Sequence, residues 1–118
     1  KTIPGGEYVG YNCAYKTDKP IKIATVPVGY FEGIDRRLSN CGFFKINDKF
    51  CPIIGMVSMN ITSIDVTSIP DIKIGDKVLI ISNQKNDKNS VENIAKLIQT
   101  IPYEILVRFP QHLRRTVC

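Results

Sequence analysis

Residues 25–40 are TVPVGYFEGIDRRLSN, and they join a predicted strand to a loop rich in polar groups. The β-branched residues at the start of this stretch favour a strand. Two glycines then bracket a tyrosine and a glutamate (residues 29–33), and glycine permits a sharp turn or a close approach of the backbone to a ligand. Arg36 and Arg37 follow, and a guanidinium can bind a carboxylate or a phosphate through paired hydrogen bonds. The loop is therefore either a ligand-binding loop or a surface turn with solvated charges, and residues elsewhere must decide between the two.

Length and composition limit the possible classes of protein. The chain has 118 residues, enough for one domain with a single core. Its 43% hydrophobic and 23% charged content is ordinary for a globular protein, and no apolar run approaches the ~20 residues that a membrane-spanning helix needs. The net charge of +5 favours an anionic partner, but the lysines are scattered and do not alternate with aromatic residues. We therefore expect neither a membrane nor a nucleic acid as partner.

The cysteines and the single histidine do not predict a metal site. Cys13, Cys41, Cys51 and Cys118 have no close paired spacing, so neither a zinc knuckle nor a secreted disulfide framework is indicated. We expect reduced thiols in the cytoplasm. His112 has no second histidine or acidic cluster near it in the sequence, and a structural role is the simpler interpretation.

Short segments rich in β-branched residues predict a mainly β domain. The residue pair Asn47-Asp48 tolerates positive φ and predicts a hairpin turn between two strands. Glu7–Lys16 alternates and predicts one continuous strand, and further strands are expected at residues 21–28, 42–46, 49–54, 61–67, 77–82, 103–109 and 113–117. Many short strands at even spacing are typical of an antiparallel, barrel-like sheet, which would also hide the strand edges.

One short helix is predicted, from Val91 to Gln99. Ser90 can cap its first turn, and apolar residues recur at helical spacing on one face. Pro102 is expected to end the helical segment. The chain starts at Lys1 without an initiator methionine, so we expect it to be part of a longer protein.

Five segments resemble the C-terminal domain of alanine racemase, and they occur in the same order along the chain. They are VGYNCAY (9–15), IATVPVGYFEG (23–33) with RRL (36–38), PIIGMVSMN (52–60), IDVT (64–67) and TIPYE (100–104). A single motif of this kind would be weak, but five in register over residues 1–118 are specific.

The resemblance implies an enzyme of two domains that uses pyridoxal 5'-phosphate. In that family an N-terminal α/β barrel carries the lysine that binds the cofactor, so no lysine of this chain is expected to do so. The family forms a head-to-tail homodimer, in which this domain of one subunit reaches the barrel of the other. The implied activity is interconversion of L- and D-alanine, which supplies D-alanine for the cell wall, and the isolated domain should be inactive.

The resemblance also assigns roles to individual residues. Racemisation needs a proton removed from one face of Cα and supplied on the other, so two bases must flank that carbon. Tyr11 matches the catalytic tyrosine, and it requires nearby positive charge because a free phenol has a pKa of ~10. Tyr30 and Arg36 match residues that border the substrate's access to the site, and the Met59 backbone amide matches a donor to the substrate carboxylate. Tyr103 matches a tyrosine that hydrogen-bonds the cofactor phosphate.

Several positions depart from the family pattern. Asn12 and Cys13 follow the matched tyrosine where small glycines are common, Met56 stands where an arginine is common, and Asn60 where an aspartate is common. Changes of charge near a binding site alter which substrates are favoured. Two alternatives therefore remain. One is a related enzyme of broader or different amino-acid specificity, such as one that acts on a larger amino acid, or a decarboxylase; the other is a β-barrel interaction module without catalysis.

Overall fold

The computed structural model describes residues 1–9 and 15–114. Strands and two short helices make up its regular structure, which confirms the predicted mainly β class. The strands are β1 (Thr2–Ile3), β2 (Tyr8–Val9), β3 (Tyr15–Lys16), β4 (Ile21–Val26), β5 (Phe43–Ile46), β6 (Lys49–Pro52) and β7 (Thr62–Asp65). The helices are α1 (Val91–Leu97) and α2 (Pro102–Val107), and Tyr30–Glu32 and Arg36–Leu38 form single 3-10 turns.

Strand β4 lies at the centre of a three-stranded antiparallel sheet, between β1 and β7. Its register pairs Val26 with Thr62, so the chain leaves β4 beside the segment that precedes β7. The Thr62 hydroxyl donates to the Val28 carbonyl at 2.6 Å and extends this contact beyond the strand. The strand predicted at 21–28 ends at Val26. Pro27 follows it, and proline has no N–H to donate to a neighbouring strand.

Strands β5 and β6 form the predicted hairpin. Asn47 and Asp48 have φ values of 49° and 63°, the left-handed conformation that a tight two-residue turn requires. The bridge between Ile53 and Ile64 joins the end of this hairpin to β7. In the part of the chain that the structure describes, the sheets do not close into a continuous barrel.

The core lies between the sheets and the helices. Its fully covered side chains come from β5 to β7 and the segments beside them, and include Phe44, Ile46, Cys51, Ile53, Val57, Ile64 and Val66. Helix α1 covers this core with Ile94 and Ala95. Ser90 caps α1 as predicted, since its hydroxyl oxygen accepts the Asn93 N–H at 3.2 Å.

The strand predicted at 103–109 is wrong, because this segment forms helix α2. Pro102 is the first residue of the helix, where its fixed φ and missing N–H are tolerated. Ile105 is buried and Phe109 half-buried, four residues apart, so they face the core with helical spacing. Pro102 thus begins a second helix, and α1 has already ended at Leu97.

Three other strand predictions need correction. Glu7–Lys16 is not one strand, because β2 and β3 pair antiparallel, with Val9 opposite Tyr15. The segment 77–82 makes only isolated bridges at Leu79 and Ser82. Residues 113 and 114 are not in a strand, and the rest of the strand predicted at 113–117 lies outside the described residues.

A helix that could cross a bilayer would need to be longer and more apolar than any helix within residues 1–9 and 15–114.

Candidate active site

The turn at Tyr30–Glu32 docks on the segment before β7 through its backbone. The Tyr30 N–H donates to the Ser58 carbonyl at 3.0 Å, and the Phe31 N–H donates to the Met59 carbonyl at 2.9 Å. Gly29 makes this approach possible, because a Cβ atom there would lie 2.0 Å from the Ser58 oxygen. Here glycine is required for close contact between two backbone segments.

The Glu32 carboxylate fastens the same two segments a second time. One oxygen accepts the Gly29 N–H at 2.8 Å, and the other accepts a hydrogen bond from Asn60 Nδ2 at 3.2 Å. Burial raises the pKa of the Glu32 carboxyl, but these hydrogen bonds outweigh it and hold the pKa below its usual value. Glu32 is therefore ionised, and acts only as an acceptor, at neutral pH.

A groove of about 610 Å³ opens beside this junction. It brings together the three residues predicted to bind substrate, Tyr30, Arg36 and Met59. The remaining lining residues in the described chain are Met56, Val57, Ser58, Asn60, Ile61 and Ser63. Tyr30 and Met59 are 45% and 52% exposed, so both are accessible from the groove. This groove, lined by the nine residues named here, is called the Tyr30–Met59 groove below.

Two groups at the Tyr30–Met59 groove are available to bind an anion. The Arg36 guanidinium and the Met59 N–H make no hydrogen bond with any residue in 1–9 or 15–114. Neither acidic side chains nor lysines occur among the described residues that line the groove. A carboxylate in the groove would meet one cation and one backbone donor, a combination suited to charge-assisted hydrogen bonds.

Arg37 has a different environment from its neighbour Arg36. Its guanidinium donates to both oxygens of Asp35, at 3.0 and 2.8 Å, and to Glu104 at 2.8 Å. These hydrogen bonds hold the pKa of Asp35 below its usual value and raise that of Arg37. The pKa of Glu104 is lowered first by the hydrogen bond from Thr100 and then by Arg37. Arg37 is thus a structural residue that joins Asp35 to Glu104.

Two predicted site residues lie elsewhere. Tyr103 is on α2, is 76% exposed and is not part of the Tyr30–Met59 groove. Its hydroxyl makes no hydrogen bond within the described part of the chain. Tyr11, the predicted catalytic residue, lies outside the described residues. The roles of all five residues stay predictions.

Sequence reasoning missed the contact between Glu32 and Asn60. Glu32 follows Gly29 by three residues, which is the spacing of a helix-capping box, but the usual Ser or Thr at the first position is absent. The Gly-x-x-Glu spacing was the only local signal. His112 packs on Phe31 with ring centroids 5.3 Å apart, which agrees with the structural role expected for it. No trio of His, Cys, Asp or Glu side chains in the described residues is arranged to hold a metal ion.

Comparison with known proteins agrees with the resemblance found in the sequence. Residues 1–117 match the family described as "Alanine racemase, C-terminal domain". The chain belongs to the alanine racemase C-terminal domain family. A match over nearly the whole chain also agrees with the mainly β fold.

Individual members of the family are similar over the same length. Alanine racemase 1 of Caldanaerobacter subterraneus subsp. tengcongensis is 43% identical over 98% of this chain, and alanine racemase of Methylacidiphilum infernorum is 38% identical over 98%. The crystal structure of alanine racemase from Bartonella henselae, with covalently bound pyridoxal phosphate, superposes with a TM-score of 0.86 and 33% identity. The aligned region covers 98% of this chain and 32% of the Bartonella henselae chain. The chain spans 30% of the length of the two curated relatives.

Proposed function

We propose that this chain is the part of an alanine racemase that shapes substrate access and supplies one of two catalytic bases. The observation that carries the proposal is the Tyr30–Met59 groove, where a guanidinium and a backbone N–H, both without a partner among the described residues, lie beside an exposed tyrosine. These groups suit the carboxylate of a small amino acid. An interaction module has no need of two hydrogen-bond donors at one site that lack partners in the described chain.

Each residue has a separate task in this proposal. Arg36 attracts the substrate carboxylate at the mouth of the groove, and the Met59 N–H receives it further in. Tyr30 forms a wall that limits the space beside the reacting carbon. Tyr11 removes or supplies the proton on one face of Cα, and a base outside this chain serves the other face.

The residues of this chain fit pyridoxal phosphate in part. The family resemblance implies that a lysine outside this chain binds the cofactor covalently, and the described lining of the groove, which includes no lysine, is compatible with this. Tyr103 has an exposed hydroxyl with no partner in the described chain, which suits a hydrogen bond to a phosphate oxygen. When bound, the cofactor would make the Cα–H bond of the amino acid more acidic. The Bartonella henselae relative, which carries this cofactor, supports the assignment.

The remaining parts of the proposal concern the whole protein. We propose a cytoplasmic head-to-tail homodimer, in which the Tyr30–Met59 groove of one subunit faces the cofactor domain of the other. Its product, D-alanine, would supply the cell wall. The absence of close cysteine pairs in the sequence favours a reducing compartment.

The test is racemisation of alanine by the full-length protein. Purified protein is incubated with L-alanine or D-alanine, and the opposite enantiomer is measured by chiral chromatography. We expect both directions to proceed with added pyridoxal phosphate and to reach equal amounts of the two enantiomers. Absence of racemisation by folded protein with bound cofactor would overturn the proposal.

Met56 in the groove favours a second candidate, an amino-acid racemase of broader specificity. A flexible apolar side chain lines the groove where the family commonly has an arginine, and this leaves Arg36 as the one side-chain cation of the described lining. Comparing kcat/KM for alanine, serine and leucine distinguishes the candidates. Alanine is favoured strongly if the first is correct, and leucine approaches alanine if the second is.

A further inference from the structure

We infer that Glu32 and Asn60 form a positioning pair that orients the Met59 N–H toward the substrate carboxylate. The inference rests on the proposed function, because it concerns how the same groove binds its substrate. Neither residue needs to touch the substrate. Both would act through the backbone of the segment between Ser58 and Asn60.

The contacts fix this segment from two sides. On one side, the Met59 carbonyl accepts the Phe31 N–H at 2.9 Å. On the other, the Asn60 side chain donates to Glu32 at 3.2 Å, and Glu32 itself is held by the Gly29 N–H at 2.8 Å. The Met59 N–H shares its peptide unit with the Ser58 carbonyl, which accepts the Tyr30 N–H at 3.0 Å. The anchors at the Met59 carbonyl and the Asn60 side chain hold the residues that follow, so they keep this peptide unit in its place beside the groove.

The polarity of the pair explains why position 60 carries an amide. The Glu32 carboxylate is an acceptor and requires a donor opposite it, which the Asn60 amide supplies. An aspartate at position 60 is common in the family, but in this chain it would place a second carboxylate against that of Glu32, lose the hydrogen bond and repel the segment. The peptide unit of the Met59 N–H would then keep only its bond from Tyr30 and the neighbouring bond from Phe31, and would be held less firmly.

The experiment uses the full-length protein with four variants. Asn60→Asp breaks the pair because it places the new carboxylate against the carboxylate of Glu32. Glu32→Gln combined with Asn60→Asp rebuilds it in reverse, because the Gln oxygen accepts the Gly29 N–H and its amide donates to Asp at position 60. Glu32→Gln alone is milder, since the Asn60 amide can rotate to present its oxygen. Asn86→Asp is the matched control, because it makes the same charge change at an exposed site outside the groove.

The expected result is a change in KM with little change in kcat. A binding interaction made equally in the ground state and the transition state affects KM alone. Asn60→Asp should raise the KM for alanine roughly tenfold and leave kcat within about twofold. In the double variant the KM should return most of the way to the wild-type value. Asn86→Asp should change neither constant.

Two outcomes overturn the inference. If Asn60→Asp lowers kcat with KM unchanged, the pair only maintains the amount of folded enzyme. If the double variant is as defective as Asn60→Asp, the hydrogen bond between the two side chains is not the cause.

A second measurement separates this inference from the proposed function. Hydrogen–deuterium exchange of the peptide covering residues 56–63 reports whether the segment is held, whatever reaction the protein catalyses. Faster exchange in Asn60→Asp and recovery in the double variant support the pair. Equal exchange in all variants overturns it, whereas a wild-type protein that fails to racemise any amino acid overturns only the proposed function.

Discussion

Nη2 of Arg37 lies 2.8 Å from Oε1 of Glu104, and this contact joins the 3-10 turn at Arg36–Leu38 to helix α2. The same Glu104 oxygen also accepts from Arg108 at 3.0 Å, so two cations share one carboxylate. Arg37 further donates to the Ile98 carbonyl at 3.3 Å, just beyond α1. Through one side chain the turn is fastened to both helices. Arg36, next to it in sequence, has no such contact within the described residues.

This contrast predicts opposite effects for the two arginines. Arg37→Ala should lower the melting temperature by several degrees, because it leaves Asp35 and Glu104 without their main cation. Arg36→Ala should leave the melting temperature unchanged and raise the KM for the amino-acid substrate about tenfold, since only a binding contact is lost. Thermal unfolding and steady-state kinetics on both variants of the full-length protein check this. A larger stability loss in Arg36→Ala than in Arg37→Ala would contradict the assignment.

The carboxylates around Arg37 predict a loss of stability in acid. The hydrogen bonds of Arg37 lower the pKa of Asp35, and those of Thr100 and Arg37 lower the pKa of Glu104. A folded-state pKa below the unfolded value stabilises the protein above that unfolded value, and the stabilisation is lost as the pH falls. The ordinary values are 3.8 for Asp35 and 4.5 for Glu104, so the loss should begin near pH 5 and continue downward.

Urea unfolding between pH 7 and pH 3 measures this loss. Glu104→Gln should be less stable than wild type at pH 7, because an amide accepts weaker hydrogen bonds from Arg37. The difference between the two proteins should shrink toward pH 3, where the wild-type carboxyl takes up its proton. A difference that stays constant over this range would show that Glu104 does not contribute through its charge.

Gly29 predicts a steric effect at the base of the groove. In Gly29→Ala the new Cβ would lie 2.0 Å from the Ser58 oxygen and 2.5 Å from the Met59 oxygen, so one backbone segment must move. Forcing atoms into an occupied space costs about 1–3 kcal/mol of unfolding free energy, and the displaced Met59 should also raise KM. Urea unfolding and steady-state kinetics measure the two effects.

Gly6→Ala is the matched control for this variant. A Cβ at Gly6 would meet no atom within 4 Å, but its φ of 86° disfavours alanine. We expect a stability loss of about 1 kcal/mol from backbone strain, and no change in KM. An equal change of KM in both variants would show that contact with Ser58 is not what matters at Gly29.

The sequence predicted those elements whose signals are local. The positive φ of Asn47 and Asp48 and the cap at Ser90 depend on residues within a few positions of each other. Helix α2 was missed because its β-branched and aromatic residues favour strands, while the packing of Ile105 against the core decides the matter. Tertiary contacts override propensity in a segment this short.

The candidate site also has a part that the sequence predicted and a part that it did not. Tyr30, Arg36 and Met59 were predicted from motif resemblance, and the structure brings them to one groove although Met59 is distant in sequence. The hydrogen bond between Glu32 and Asn60 joins residues 28 positions apart, and no local pattern indicates it. The hydrogen bond depends on the docking of the turn at Tyr30–Glu32 on the segment before β7, which is a tertiary contact.

Tyr11 gives the sharpest test of the proposed two-base reaction in the full-length protein. Tyr11→Phe removes one hydroxyl and should leave cofactor binding intact. Loss of a positioned acid–base group lowers a rate by ~10²–10⁴, and racemisation should fall by that order in both directions, since each direction uses both bases. The absorbance spectrum of the bound cofactor serves as the control for an intact site.

Exchange of the α-proton with solvent separates the two bases. If Tyr11 serves L-alanine, Tyr11→Phe should lose deuterium uptake from L-alanine in heavy water, because no other base reaches that face. Uptake from D-alanine should survive better, because the base on the opposite face is untouched. Mass spectrometry of each enantiomer, with wild type and variant side by side, measures both rates. Unchanged racemisation, or equal loss of uptake from both enantiomers with the cofactor spectrum intact, would remove Tyr11 from this role and direct attention to Tyr30, the exposed tyrosine of the groove.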